Sequence, residues 1–232
     1  MASYEEAIKH EANNPIPYQY KGLAYAYKED YTRSLTWFDK AIKRDPRYVD
    51  AWIYRSVSFA NLGNMNKALK DIHRAGELRP EHPVIRYNEG TLLFELSRYE
   101  AAERSLHEPL RLKPDYIEAM VNLASLLIKL KEYEESVKLI NKVIQQHPND
   151  YQALYIRSSS LIRLAKYADA IEDSNRAIAL NQSFAPAHYN RAWASALLGH
   201  EENVLQSLER AIQLDDTARE RARKEEAFRL PK

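Results

Sequence analysis

The sequence predicts an all-α solenoid of helix-turn-helix repeats, and three observations predict it. Prolines stand at Pro46, Pro80, Pro114 and Pro148, each 34 residues after the last, and the next beat falls on Gln182. The same period carries a small residue at Gly22, Ser56, Gly90, Ala124, Ser158 and Ala192. Composition agrees, with 45% hydrophobic residues and only 5 glycines in 232 positions, a helix-compatible balance. A fixed period of this length marks stacked supersecondary units that bury their apolar faces against neighbours.

The elements follow in order. Residues 3–12 match the second helix of a repeat whose first helix is missing, since Ala7-Ile8 stands one period before Ala41-Ile42 and recurs as Ala177-Ile178 and Ala211-Ile212. Such a half-repeat either caps the solenoid or remains from a longer chain, and Tyr4 and Ile8 on it are expected to be partly bare. Six whole repeats follow, at 15–48, 49–82, 83–116, 117–150, 151–184 and 185–218. In each, helix A is expected at roughly repeat positions 2–14 and helix B at 18–31. The small residues above fall where helices A and B cross, facing Ser34, Ala68, Ala102, Ser136, Ala170 and Val204 on helix B.

Gly63 and Gly199 follow Leu62 and Leu198 as left-handed helix stops. Pro17, Pro83 and Pro186 lie in first turns of helix A, where a missing N–H costs nothing. Pro109 lies inside the third helix B and is expected to kink or split it near His107–Pro109. After 218 the period stops. Thr217-x-x-Glu220 reads as a capping box opening a polar helix from Ala218 to about Arg229, with Ala218, Ala222 and Phe228 as its apolar side.

Composition removes several function classes. The 34 basic and 33 acidic residues nearly cancel, which argues against a nucleic-acid partner. The absence of cysteine excludes a disulfide framework and a thiolate zinc site. The N-terminus lacks the basic and apolar regions of a signal peptide. No apolar run approaches the roughly 20 residues of a spanning helix, so a cytoplasmic chain without membrane insertion is expected.

One repeat carries a recognisable pattern. Residues 49–82 contain Trp52-x-x-Arg55-Ser56-x-x-Phe59, then Ala68, Ile72, Ala75 and Pro80. An aromatic, a small residue, a large ring, Ala, a bulky residue and Pro in this order resemble the tetratricopeptide-repeat signature, with Arg55 where it has Leu and Ser56 where it has Gly. The chain resembles a tetratricopeptide-repeat protein over nearly its whole length, and its tail is similar to those of stand-alone bacterial members. The resemblance implies a right-handed superhelical solenoid whose A helices line a concave surface.

Little in the chain points to chemistry. Its 7 histidines are scattered without ligand spacing, no glycine-rich loop occurs, and Ser158-Ser159-Ser160 has no base placed beside it. We therefore expect no enzyme, no metal and no cofactor. Arg55, Arg157 and Arg191 recur at one position of helix A, with Asp71, Asp173 and Ser207 sixteen residues on. Because the carboxylate travels with the Arg in two repeats, an ion pair between helices A and B is preferred over a basic stripe for anionic ligands.

The candidate site is the concave face that the resemblance implies. Its residues are Tyr20, Tyr54, Tyr87, Asn88, Asn122, Tyr155, Tyr189, Asn190 and Trp193, with Tyr27 and Phe94 beside them. Tyrosine offers apolar contact plus a hydroxyl at low entropy cost, and an Asn amide pairs with the backbone of an extended peptide. For each ring, packing between neighbouring A helices competes with exposure in a groove. The cations of the clamp that holds the C-terminal carboxylate of Hsp70 or Hsp90 are missing around Asn88, Asn122 and Asn190, so that partner is rejected. The expected function is a protein-interaction scaffold for an extended or short helical segment. Its rivals are self-association through residues 1–14 and a regulatory region belonging to a larger protein.

Overall fold

The computed structural model describes residue 6 and residues 8–228, the side chains of residues 201 and 202 aside. Among these residues all regular structure is helical. The chain divides into two compact units, Met1–Ala119 and Met120–Lys232. In the first, α1 (Pro15–Ala26) pairs with α2 (Tyr31–Arg44), α3 (Val49–Asn61) with α4 (Met65–Leu78), and α5 (Pro83–Glu95) with α6 (Tyr99–Leu112). The division falls within α7 (Ile117–Leu130), and the second unit continues with α8 (Tyr133–Gln146), α9 (Tyr151–Arg163), α10 (Tyr167–Leu180), α11 (Ala185–Leu198) and α12 (Glu201–Leu214). A short α13 (Thr217–Lys224) and a 3-10 turn (Glu226–Phe228) close the described chain. The fold class is the expected all-α solenoid of helix hairpins, with each helix starting about one residue earlier than the spacing suggested. No helix among the described residues is long and apolar enough to cross a membrane.

Each unit has its own apolar cluster. Tyr18, Ala41, Ile42 and Ala51 form one in the first unit, and Ile8, Trp37, Tyr48 and Trp52 pack against it. Ile8 is half-buried against this cluster and so partly bare, as expected; Tyr4 lies outside the described residues. The second unit gathers Leu161, Ile162, Tyr189, Trp193, Ala194, Ala211 and Ala218, with Ala222 and Phe228 packed on them. That is the apolar side foreseen for the C-terminal segment.

The A–B crossings are as tight as their small residues imply. A Cβ on Gly22 would stand 2.5 Å from the Phe38 ring, and one on Gly90 would stand 2.6 Å from Leu106. Three of the serines at and beside these crossings have their hydroxyls bonded in the dry interior. Ser34 donates to Ser58 at 2.8 Å, Ser160 to Ser136 at 2.9 Å, and Ser158 to the Ala170 carbonyl at 3.0 Å. An unbonded hydroxyl there would cost about 1–3 kcal/mol.

The A–B turns share one device. Residues 29, 63, 97, 131, 165 and 199 all have positive φ, from 56° to 81°. The next N–H in each turn reaches the carbonyl five residues back, as in Asn64 to Phe59 (2.8 Å) and Lys166 to Leu161 (2.9 Å). This is the Schellman closure, in which a left-handed residue is required. Only Gly63 and Gly199 are glycine; Glu29, Ser97, Lys131 and Ala165 hold the same conformation against the Cβ penalty. Ala165→Gly is therefore expected to stabilise the protein by about 0.5–1 kcal/mol, and Gly63→Ala to destabilise it by a similar amount. Urea midpoints that move in opposite directions at constant slope would bear this out; two shifts of the same sign would refute it.

Two local expectations are corrected. α6 runs unbroken through Pro109, which is fully buried, and the Lys113 N–H caps onto the Pro109 carbonyl at 2.8 Å. The helix is not split at 107–109, although the proline has no N–H to give to the Ser105 carbonyl, and its buried ring is held by packing. The Thr217–Glu220 capping box is also absent. The Asp215 carboxylate takes both the Thr217 N–H (2.9 Å) and its hydroxyl (2.8 Å), while Glu220 pairs with Arg223 at 2.6 Å. α13 accordingly ends at Lys224, earlier than expected.

Candidate functional site

Which side chains are free for a ligand depends on which the solenoid uses for itself. The recurrent arginines are used. Arg55 forks onto Asp71 at 2.7 and 2.8 Å, and its remaining nitrogen reaches Asp39 at 2.6 Å. Arg157 repeats this with Asp173 at 2.7 and 2.6 Å and Asn141 at 2.8 Å. Arg191 does so without a carboxylate, using Ser207 at 2.8 Å and Asn175 at 3.3 Å. Each guanidinium joins the helix B sixteen residues ahead to the helix B sixteen residues behind. It is a clasp across the repeat boundary as well as the expected A–B pair.

Glu89 occupies the same register with reversed polarity. Its carboxylate lies 3.1 Å from the His73 Nε2 and accepts from Ser105 (3.3 Å), again sixteen residues to either side, and from Arg86 at 2.9 Å. The charge states follow the partners. Burial works to lower the Arg55 pKa, but Asp71 and Asp39 outweigh it and the net shift is upward. Bonding to Asp173 raises that of Arg157, whereas burial alone lowers that of Arg191.

The predicted groove residues separate into two groups. At the fifth position of a repeat the side chain turns toward the last residue of that repeat, which stands at the N-terminus of the next helix A. The Tyr48 hydroxyl donates to the Gln19 side chain. Tyr87 packs on Tyr116 at 5.2 Å between ring centres, where burial lifts the Tyr116 hydroxyl to about 12. Tyr155 meets Phe184 edge-on at 5.3 Å. In the last repeat Tyr189 is only 4% exposed; Phe228 packs edge-on to it at 5.7 Å and the Arg221 guanidinium lies 4.3 Å from its ring centre. These rings belong to repeat junctions.

The sixth position behaves differently in the two units. In the first, Tyr20 is 49% exposed and Tyr54 is 36% exposed, and Asn88 is half-buried. In the second, Asn122 is half-buried, but Asn190 is 2% exposed and donates to the Ser159 hydroxyl at 2.8 Å. Trp193 is also buried, with Arg163 stacked 4.3 Å from its ring centre. The open face expected at Tyr189, Asn190 and Trp193 is therefore not found: the C-terminal segment covers Tyr189, and its neighbours join the core. Two exposed apolar side chains absent from the predicted set, Ile16 and Val57, lie on α1 and α3 with Tyr20 and Tyr54, and Tyr27 caps α1. Their only sequence signal was register, one turn from positions already chosen.

Among the described residues no group of three or more metal-ligating side chains occurs. The Ser158–Ser160 hydroxyls are each bonded within the solenoid, Ser159 to the Tyr155 carbonyl at 3.0 Å.

Residues 21–83 and 93–156 match family models described as tetratricopeptide repeat. Superkiller protein 3 of Saccharomyces cerevisiae is 28% identical over 83 residues, which is 36% of this chain and 6% of that protein. Tetratricopeptide repeat protein 16 of Mus musculus is 28% identical over 86 residues, 34% of this chain and 11% of that protein. The chain thus spans only a small part of either relative. Among solved structures, the anaphase-promoting-complex assembly Cut9-Hcn1 matches with a TM-score of 0.80 at 15% identity, over 93% of this chain and 42% of that one. PilF of Pseudomonas aeruginosa gives 0.77 at 17% identity, over 91% and 97%. YrrB, described as having an unusual peptide-binding site, gives 0.63 at 20% identity, over 81% and 98%. At these identities the likeness carries the fold alone.

Proposed function

The chain belongs to the tetratricopeptide-repeat family, whose fold serves protein interaction, and we propose that it is a non-catalytic scaffold holding an extended or short helical partner segment on its A-helix face. The observation that carries this reading is the pair Tyr20 and Tyr54. They occupy one register on successive A helices and both are exposed, Tyr54 with its ring stacked 6.1 Å from that of Phe38. Tyr27, Ile16 and Val57 extend them into an apolar patch, the kind of surface that marks an interaction site. In the second unit Asn190 is committed to its neighbour. YrrB, a solved relative in fold, is itself described as a peptide binder. Self-association through residues 1–14 is less well supported, because Ile8 packs onto the Tyr18 cluster.

The test is photo-crosslinking. A crosslinking amino acid placed at Tyr54 or Asn122 is expected to capture the partner recovered with the full chain from its native lysate. The same group placed at Lys67 or Lys142, exposed on B helices, is expected not to. Capture from the B-helix positions alone would move the binding surface to the other side of the solenoid.

A further inference from the structure

The charged side chains of the first unit are distributed unevenly between its faces. Along the A-helix face that carries the tyrosines, the charges are Asp50 and Glu95, and no Lys or Arg shares their register. The cations of these helices are turned elsewhere. Lys21 is buried with its ammonium 4.0 Å from the Trp37 ring centre, and Arg55 is held in its clasp by Asp71 and Asp39. Asp50 and Glu95, in contrast, have no ion pair among the described residues.

Asp50 and Tyr54 stand four residues apart on α3 and so share a face, as Tyr20 and the C-cap residue of α1, Tyr27, do seven apart. Equal register on packed A helices then brings Tyr20 beside Tyr54. The electrostatics agree with this placement. Burial first, then the Asp50 carboxylate, then Tyr27 and Tyr20 hold the Tyr54 hydroxyl above its ordinary range. Burial and Asp50 do the same to neighbouring Tyr48, pushing it up to about 12. Several π faces and an unpaired carboxylate opening onto solvent together form a receptor for a cation.

We propose that this face of the first unit takes a Lys or Arg side chain of the partner segment, seated against Tyr20 and Tyr54 with Asp50 as its counter-charge. The inference rests on the scaffold reading above and adds the charge of the ligand to it. A cation over a tyrosine ring gains from the ring's quadrupole, and a nearby carboxylate adds Coulomb attraction that neither ring supplies. The polarity is opposite to that of a clamp for carboxylates. Asp50 also sits in the first turn of α3, where it favours the helix dipole.

Short fluorescent peptides of alternating Lys and Ala, Glu and Ala, or Ser and Ala serve as probes, read by anisotropy against the full chain at low salt. The Lys peptide is expected to bind about tenfold more tightly than the Ser peptide. That preference should vanish in Asp50→Asn and in Tyr54→Leu, and persist in Glu134→Gln, which alters an exposed acid of the second unit. Unchanged helicity in Asp50→Asn and Tyr54→Leu separates a lost site from a lost fold. Equal binding of all three peptides that still depends on Tyr54 would overturn the charge inference and leave the surface reading standing. Binding indifferent to Tyr54 would sink both. No measurable preference for the Lys peptide, including no binding at all, overturns the inference, and the crosslinking experiment then judges the surface reading alone.

Discussion

Arg157→Met is expected to destabilise the protein by about 2–4 kcal/mol, more than the double change Arg157→Met with Asp173→Leu. The Asp173 side chain is 3% exposed while that of Arg157 is 21% exposed. Removing the guanidinium therefore strands a buried carboxylate, and breaking such a pair from one side costs about 3–5 kcal/mol when both partners are fully dry. The residual exposure of Arg157 reduces that figure. Removing the carboxylate as well eliminates the unpaired charge, so the second substitution should restore part of the loss. Chemical denaturation of the four proteins in the cycle measures the coupling. A coupling near zero would mean that the forked contact contributes nothing, and the arginine would then be free for a ligand.

Phe38→Ala is expected to cost about 3–5 kcal/mol, as for a fully buried ring replaced by a methyl group. The same ring sets the penalty at Gly22, where a Cβ would stand 2.5 and 2.7 Å from it. Gly22→Ala alone is expected to destabilise by about 1–2 kcal/mol, overpacking offset in part by the better helix propensity of alanine. In the Phe38→Ala background the clash is gone, and Gly22→Ala should become stabilising. Thermal melts of the single and double variants test that change of sign; a penalty at Gly22 that ignores Phe38 would show that the crossing is not what excludes the methyl.

The period was legible in the sequence because each hairpin obeys the same steric rule. Gly22 and Ala124 had to be small wherever helices A and B cross, and Gly63 had to turn left-handed. The four other turns were not legible as left-handed, since Glu29, Ser97, Lys131 and Ala165 carry no glycine signal. The Arg157–Asp173 pair was legible because both residues recur together. Its second partner was not, because Asp39, Asn141 and Asn175 lie in the preceding repeat and differ in kind.

The candidate site was legible only in part, for a geometric reason. Adjacent helix positions differ by about 100° in direction, so reading the fifth and sixth positions together merged two surfaces. The fifth holds the junction rings Tyr87, Tyr155 and Tyr189, and the sixth holds Tyr20 and Tyr54. Composition could not divide them, since both sets are tyrosine. Nor could local sequence show that Phe228 would fold back onto Tyr189, because that contact spans the last hairpin.

The central claim is that Tyr20 serves a partner while Tyr155 serves the fold, and paired measurements on Tyr20→Ala and Tyr155→Ala test it most directly. With the crosslinked partner segment as ligand, Tyr20→Ala is expected to weaken binding by about 1–2 kcal/mol, a typical loss for a significant interface residue, and to lower the melting temperature less than Tyr155→Ala does. Tyr155→Ala should lower the melting temperature through the lost Phe184 contact and leave affinity close to that of the parent wherever the protein remains folded. The reverse pattern, a destabilised Tyr20→Ala that binds normally beside a stable Tyr155→Ala that does not bind, would contradict this assignment of the two surfaces.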